Sequence, residues 1–230
     1  MAFKTLYGPA PARVHLSELR GKLIVVEGAD GSGRSTQISR LREALELDGV
    51  FTVEIGLKRS ELVGDQLELA KQGNTLTRLT MSLFYATDFF DQFENQVVTA
   101  LKAGFIVLCD RYVFTLMLRD RLRGIDEDYL MTLYGPVIEP DAVFYLDVKP
   151  RTLAYRNFKN NKTLDYWESG LDLGLSRDLY DNFIAYHHMM RKGFLEYAER
   201  FHFTVLDGQK SIDDVQDELL TRTRKVLKGA

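Results

Sequence analysis

The stretch GKLIVVEGADGSGRSTQ, residues 21–37, decides how the chain is read. An apolar run from Lys22 to Glu27 meets a glycine-rich turn, and Ser35 and Thr36 then open a segment with helical spacing. In such a turn consecutive backbone N–H groups face a concavity at a helix N-terminus, where the helix dipole also favours anions. The phosphate-loop pattern G-x-x-x-x-G-K-[ST] is met by Gly28, Gly33 and Ser35, with Gly31 adding backbone freedom. Arg34 stands where the pattern has lysine. Arginine keeps the charge but is a wide planar fork, so anion binding survives the exchange more readily than the positioning on which phosphoryl transfer depends. The plain alternative is a glycine turn joining a strand to a helix in some other α/β protein.

Four more apolar runs follow: FTVEI (51–55), FIVLC (105–109), AVFYL (142–146) and FTVL (203–206). None alternates apolar with polar residues, which suits strands covered on both faces of a parallel sheet. Helical spacing fills the gaps. Ile38, Leu41 and Leu45 line one face, and longer patterns run over about 77–103 and 176–200. A last pattern starts at Ser211, whose partner Asp214 fits a capping box. This alternation predicts an α/β sandwich around a parallel sheet with right-handed crossovers. With no linker or repeat, residues 21–230 read as one domain, residues 1–20 as an extended leader and 156–176 as a surface excursion.

Composition narrows the classes. The 230 residues are 45% apolar and 27% charged, ordinary for a soluble globular chain. A net charge of −3 argues against a general nucleic-acid binder. The lone Cys109, inside an apolar run, suits packing. Neither a signal peptide nor a membrane-length apolar segment is evident, so a cytoplasmic protein is the expectation.

Asp110 and Arg111 sit just past the third run, at the strand end where open α/β sheets gather ligands. A carboxylate there can support a metal's water shell and an arginine can grip phosphate bidentately. The competing reading is a surface Asp–Arg pair. Phe89, Phe90 and Phe93 belong to the core or to a subunit interface rather than to a base-binding site, and their number predicts that helix 77–103 joins a homodimer. His187 and His188 lack partners at metal spacing, and Asp213 and Asp214 complement a helix dipole.

On EGADGSGRSTQ, on DRY after the third strand, on AVFYLDVKP and on VLDGQKSIDDV, the chain resembles the thymidylate kinase family over about residues 22–225. The resemblance implies a P-loop three-layer α/β sandwich, a five-stranded parallel sheet flanked by helices with a lid. It implies transfer of phosphate from ATP to dTMP with Mg²⁺, and a homodimer. Gly28, Gly31, Ser32, Gly33, Arg34, Ser35 and Thr36 would then hold the donor phosphates. Ser35 and Asp110 would support the metal. Arg59, Phe84, Asp88, Arg111, Thr115 and Arg119 would form the acceptor site, with Phe84 stacking on the base. Arg34, Asp30, Arg111 and Arg156 would be catalytic, and Arg156 and Lys159 would act from the lid.

The chain also departs from the family. Asp88 stands where the family reads the base with arginine, so it either accepts from a ring N–H or faces away. The lid pattern reads Asp165-Tyr166-Trp167-Glu168, again without its arginine, and Arg119 replaces a tyrosine. Arg119 and Arg123, four residues apart, either restore charge to the site or line a solvated helix face. Two other activities share these motifs: a kinase for another nucleotide or nucleoside, and a nucleotide-binding regulator without turnover.

Overall fold

The computed structural model describes residues 4–9, 14–73, 76–159 and 165–229. Five strands form one parallel sheet: β1 (Lys22–Glu27), β2 (Thr52–Gly56), β3 (Ile106–Asp110), β4 (Ala142–Asp147) and β5 (Thr204–Asp207). Their order is β2-β3-β1-β4-β5. Val25 pairs with Cys109 on one side and Val143 on the other, so β1 is central and its C-terminal end opens between two neighbours.

The apolar runs are buried on both faces, as their lack of alternation requires. Leu23 and Val25 join the larger core, with Met81, Phe89, Phe114 and Phe194. Ile24 and Val26 point the other way, onto Ile38, Leu41 and Leu45 of α1 (Arg34–Leu47) and Val215 and Leu219 of α9 (Ile212–Lys228). The larger core lies under α3 (Arg78–Gln92), α4 (Val98–Lys102), α5 (Val113–Leu122) and α8 (Leu179–Arg200). The result is a three-layer α/β sandwich. The Ser211 cap forms as expected, accepting from the Asp214 N–H at 3.1 Å.

The long pattern over 77–103 is interrupted by a π-helical turn, Phe93–Val97, between α3 and α4. Such a turn admits one extra residue without ending the helix. Phe89 and Phe93 are buried within this chain, and Phe90 stacks on Tyr134 at 6.1 Å. These three rings are therefore core, not a surplus face awaiting a partner. The exposed apolar residues of α3 are Leu79 and Leu83.

Three shorter helices were not singled out in the sequence: α2 (Gly64–Gly73), α6 (Glu127–Tyr134) and α7 (Pro150–Lys159). Near the N-terminus Leu6 bridges Ile138, and Glu139 N–H donates to Thr5 O at 2.9 Å, so this stretch lies beside the segment before β4. Residues 160–164, inside the expected lid, and residues 1–3 and 10–13 of the leader fall outside the described residues. Among the described residues no helix is long and apolar enough to cross a membrane.

Candidate active site

The turn after β1 has the backbone its glycines predict. Gly33 caps α1 at φ 99°, and Gly31 lies at φ 82°, where a Cβ would meet Asn157 Nδ2 at 2.7 Å. Gly31, Gly33, Ser35 and Thr36 line a cleft of about 320 Å³ with Asp165, Glu168 and His187. Ser32 is buried, with no partner for its hydroxyl among the described residues. Gly28 sits behind the turn and offers its carbonyl to Arg34.

Arg34 is not extended over the turn, as its alignment with lysine suggests. Its Nε donates to Asp110 Oδ1 at 2.7 Å, its Nη1 donates to Ala29 O at 2.6 Å and to Gly28 O, and its Nη2 lies 3.5 Å from Asp30. A planar fork can serve carboxylate and carbonyls at once, whereas an ammonium is a single point of charge. Arg34 therefore braces the loop from inside while keeping its charge beneath it.

Asp110 ends β3 and also accepts from Ser35 Oγ at 3.1 Å. Burial works against its ionisation, but Arg34 outweighs it and holds the carboxyl below its usual range. Two hard oxygen donors thus adjoin at the loop. No set of three His, Cys, Asp or Glu gathers into a metal cage among the described residues. This pair fits Mg²⁺, which keeps several waters and takes phosphate oxygens rather than relying on a protein cage.

Arg111 adopts φ 73°, a strained value for a residue with a side chain, and its N–H donates to Val26 O at 3.1 Å. The backbone so held aims the guanidinium at Asp30, Nη2 to Oδ1 2.5 Å. Arg119 reaches the other Asp30 oxygen at 3.5 Å and Glu168 at 3.8 Å. It is buried, so it does not line a solvated helix face. Burial pushes the Asp30 carboxyl up, yet Arg111, Arg34 and Arg119 together hold it well below the usual carboxylate range. A second cavity of about 140 Å³ opens among Asp30, Arg59, Arg111, Arg119 and Glu168. Arg59, its side chain 45% exposed at the rim, pairs with Glu54 at 2.9 Å.

Several expected site residues do other work. Thr115 donates its hydroxyl to Glu27 Oε2 at 2.5 Å, and Glu27 Oε1 accepts the Tyr112 N–H at 2.9 Å. The start of α5 lacks a side-chain cap of its own, so the buried Glu27 receives its N–H groups and Thr115 completes that contact. Asp88 is fully buried and accepts from Lys58 N–H at 2.7 Å and Ser60 N–H at 2.9 Å. It faces away from the cleft and fixes the loop that carries Arg59. Phe84 is half-buried against the larger core. Arg156 donates to Gly31 O at 3.2 Å and Gly208 O at 3.0 Å, tying the phosphate loop to the turn after β5. Lys159 is exposed beside Tyr155 rather than over the cleft.

Glu168, which the lid pattern includes, lines both cavities, and Lys71 and Glu27, which no motif marks, hold the elements around them. Lys71 on α2 is buried and pairs with Asp165 at 2.9 Å and Glu168 at 3.1 Å. Its one signal was its place four residues after Leu67, on the buried face. Arg123 is structural, bound to Asp172 at 2.8 Å and to Trp167 O at 2.6 Å. His187 lines the cleft, and burial pushes its imidazole down to about 4, so it is neutral at pH 7.

Asp120, on α5 behind Arg119, accepts from Ser82 Oγ at 2.5 Å, and burial raises its carboxyl to about 6 against the pull of Arg123 and Arg119. Between about pH 4 and about pH 6 the unfolded chain ionises this group while the folded chain keeps it protonated. Stability should therefore fall as pH rises from about 4 to about 6, by up to about 3 kcal/mol at roughly 1.4 kcal/mol per pKa unit. Asp120→Asn should flatten that slope in urea denaturation at pH 4.5 and 7. An unchanged slope would assign the effect elsewhere.

A phosphate loop at the head of a central parallel strand, with a cation-lined cavity beside it, defines a P-loop nucleotide phosphotransferase. Comparison with known proteins narrows this class. The thymidylate kinase family model matches residues 26–219. A probable thymidylate kinase 2 of Saccharolobus solfataricus is 36% identical over 91% of this chain and 96% of its own length. A probable thymidylate kinase of Methanocaldococcus jannaschii is 30% identical over 86% of this chain and 93% of its own. A thymidylate kinase of a Geobacillus species is 28% identical over the same 86% and 93%. The chain belongs to the thymidylate kinase family.

Proposed function

We propose that this protein transfers the γ-phosphoryl group of ATP to dTMP, giving ADP and dTDP. The observation that carries the reading is the adjacency of two anion sites. The loop amides face one, Arg59, Arg111 and Arg119 face the other, and Arg34 and Asp30 lie between them. Family membership supplies the nucleotides.

Two polyanions must approach each other, so positioning and charge neutralisation dominate the chemistry. Loop amides bind the donor phosphates. Arg111 and Arg119, already gathered by Asp30, offset the charge of the acceptor phosphate. Arg156 holds the loop in register from outside the reacting centre. Mg²⁺, held by Ser35 and supported by Asp110, would neutralise charge on the donor phosphates when bound. The strap from Asp165 to Asp172, pinned by Lys71 and Arg123, covers the cleft and limits access of water, whose attack would waste ATP.

A coupled assay of ADP release across dTMP, dUMP, dCMP and dGMP tests this. dTMP should be the best acceptor. Its preference over dUMP should lie within roughly 10–200-fold, since a methyl group contributes about 1–3 kcal/mol. A purine or cytosine nucleotide as best substrate would point to a sibling kinase, and no turnover with any would point to a regulator.

The homodimer expected from the family resemblance draws support from Leu79 and Leu83 of α3, 52% and 44% exposed, and from exposed Leu69 on the adjoining α2. Sedimentation at micromolar concentration should give a dimer. A monomer with and without nucleotide would remove this part of the proposal.

A further inference from the structure

Arg119, which lines the acceptor cavity, also lines a small separate chamber between α3 and α5. Met81, Tyr85 and Leu116 wall it, and Trp167 closes it. Only about 20 Å³ is left free, room for a single water and far short of a nucleobase. The indole is held there by its backbone. Arg123 Nη2 donates to Trp167 O at 2.6 Å, and Lys71 grips Asp165 and Glu168 on either side at 2.9 and 3.1 Å.

Two polar atoms of the chamber are open. Trp167 Nε1 and Tyr85 Oη are both buried without a partner among the described residues. An indole N–H and a phenol left open in one chamber next to the acceptor cavity are free to take the polar edges of a ligand. An indole N–H can only donate, so its partner must be an acceptor such as a ring carbonyl, not an amino group. Asp88, which stands where the family has a base-reading donor, spends its carboxylate on Lys58 and Ser60 instead.

We propose that Trp167 is a specificity-determining residue of the acceptor site, its indole shifting to wall the bound base and donating Nε1–H to the C4 carbonyl of a keto pyrimidine, the position where cytosine carries an amino group. This rests on the acceptor reading above and adds to it the group that recognises the base. Lys71 and Arg123 act as positioning residues, because they anchor the strap on which the indole is carried.

Trp167 is the single tryptophan of the chain, so its emission reports this chamber alone. Titrating the wild-type protein with dTMP should change that emission in step with binding measured by calorimetry. Trp167→Phe keeps a ring but loses the N–H. It should reduce the preference for dTMP over dCMP by about tenfold or more, the worth of one hydrogen bond to a buried group. A purely structural indole would instead weaken both nucleotides equally. Calorimetric binding of dTMP with no emission change, or equal losses for dTMP and dCMP in Trp167→Phe, would overturn the proposal. The kinase reading fails separately: an emission change and altered preference in binding, without turnover, would keep the chamber and discard the reaction.

Discussion

Arg111→Ala is expected to weaken dTMP binding by about 2 kcal/mol or more, a rise of roughly 30-fold or more in its dissociation constant, with ATP affinity changed far less. The size follows from where the guanidinium sits. Arg111 is buried and donates to Asp30 at 2.5 Å, in a backbone conformation that costs about 1–3 kcal/mol to hold. That cost is borne at the wall of the acceptor cavity, where the charge is needed. Removing the side chain leaves Asp30 with Arg34 and Arg119, each 3.5 Å away. The cavity then gains net negative character just where a phosphate must enter. Arg59, nearly half exposed at the rim, should matter less when truncated, because solvent screens it. Calorimetry with each nucleotide on the Arg111→Ala protein decides the point. Equal losses for donor and acceptor would mean that the two sites are wrongly assigned.

Arg34→Ala should lower kcat by about 10²-fold or more, the scale for a charge contact made in the transition state. Two consequences of the substitution act together. The positive charge beneath the phosphate loop is lost, and the Gly28 and Ala29 carbonyls and Asp110 lose the donors that brace them. Arg34→Lys separates these consequences: it restores the charge without the fork, so measurable activity should return while loop bracing does not. Steady-state kinetics on both variants, beside their denaturation midpoints, distinguish charge from bracing. Unchanged turnover in Arg34→Ala would remove Arg34 from the chemistry altogether.

The sheet was legible because its strands are short apolar runs without alternation, a pattern that only burial on both faces satisfies. The phosphate loop was legible because its glycines answer a local need, readable from sequence without any distant contact. The same holds for the Ser211 cap. What was not legible depends on partners far along the chain. Thr115 serves Glu27 across 88 residues, and Arg156 reaches Gly31 across 125. Asp88 sits at a position that motif alignment gives to a base reader, but only the path of the loop after β2 shows that its carboxylate is used on Lys58 and Ser60. Lys71 could be seen only as a lysine on an apolar helix face, since its partners Asp165 and Glu168 lie on a strap whose course no local pattern reveals. Motifs located the site. Its polar interior was set by tertiary contacts.

The central claim is that the γ-phosphoryl group passes directly to dTMP in a site braced by Arg34. Its most direct test is a single turnover with γ-labelled ATP, enzyme in excess and dTMP present, with all labelled species quantified. The expected result is one labelled dTDP for each ADP formed, with free phosphate negligible. ADP matched instead by free phosphate, or ATP bound and left intact in the presence of dTMP, would contradict it.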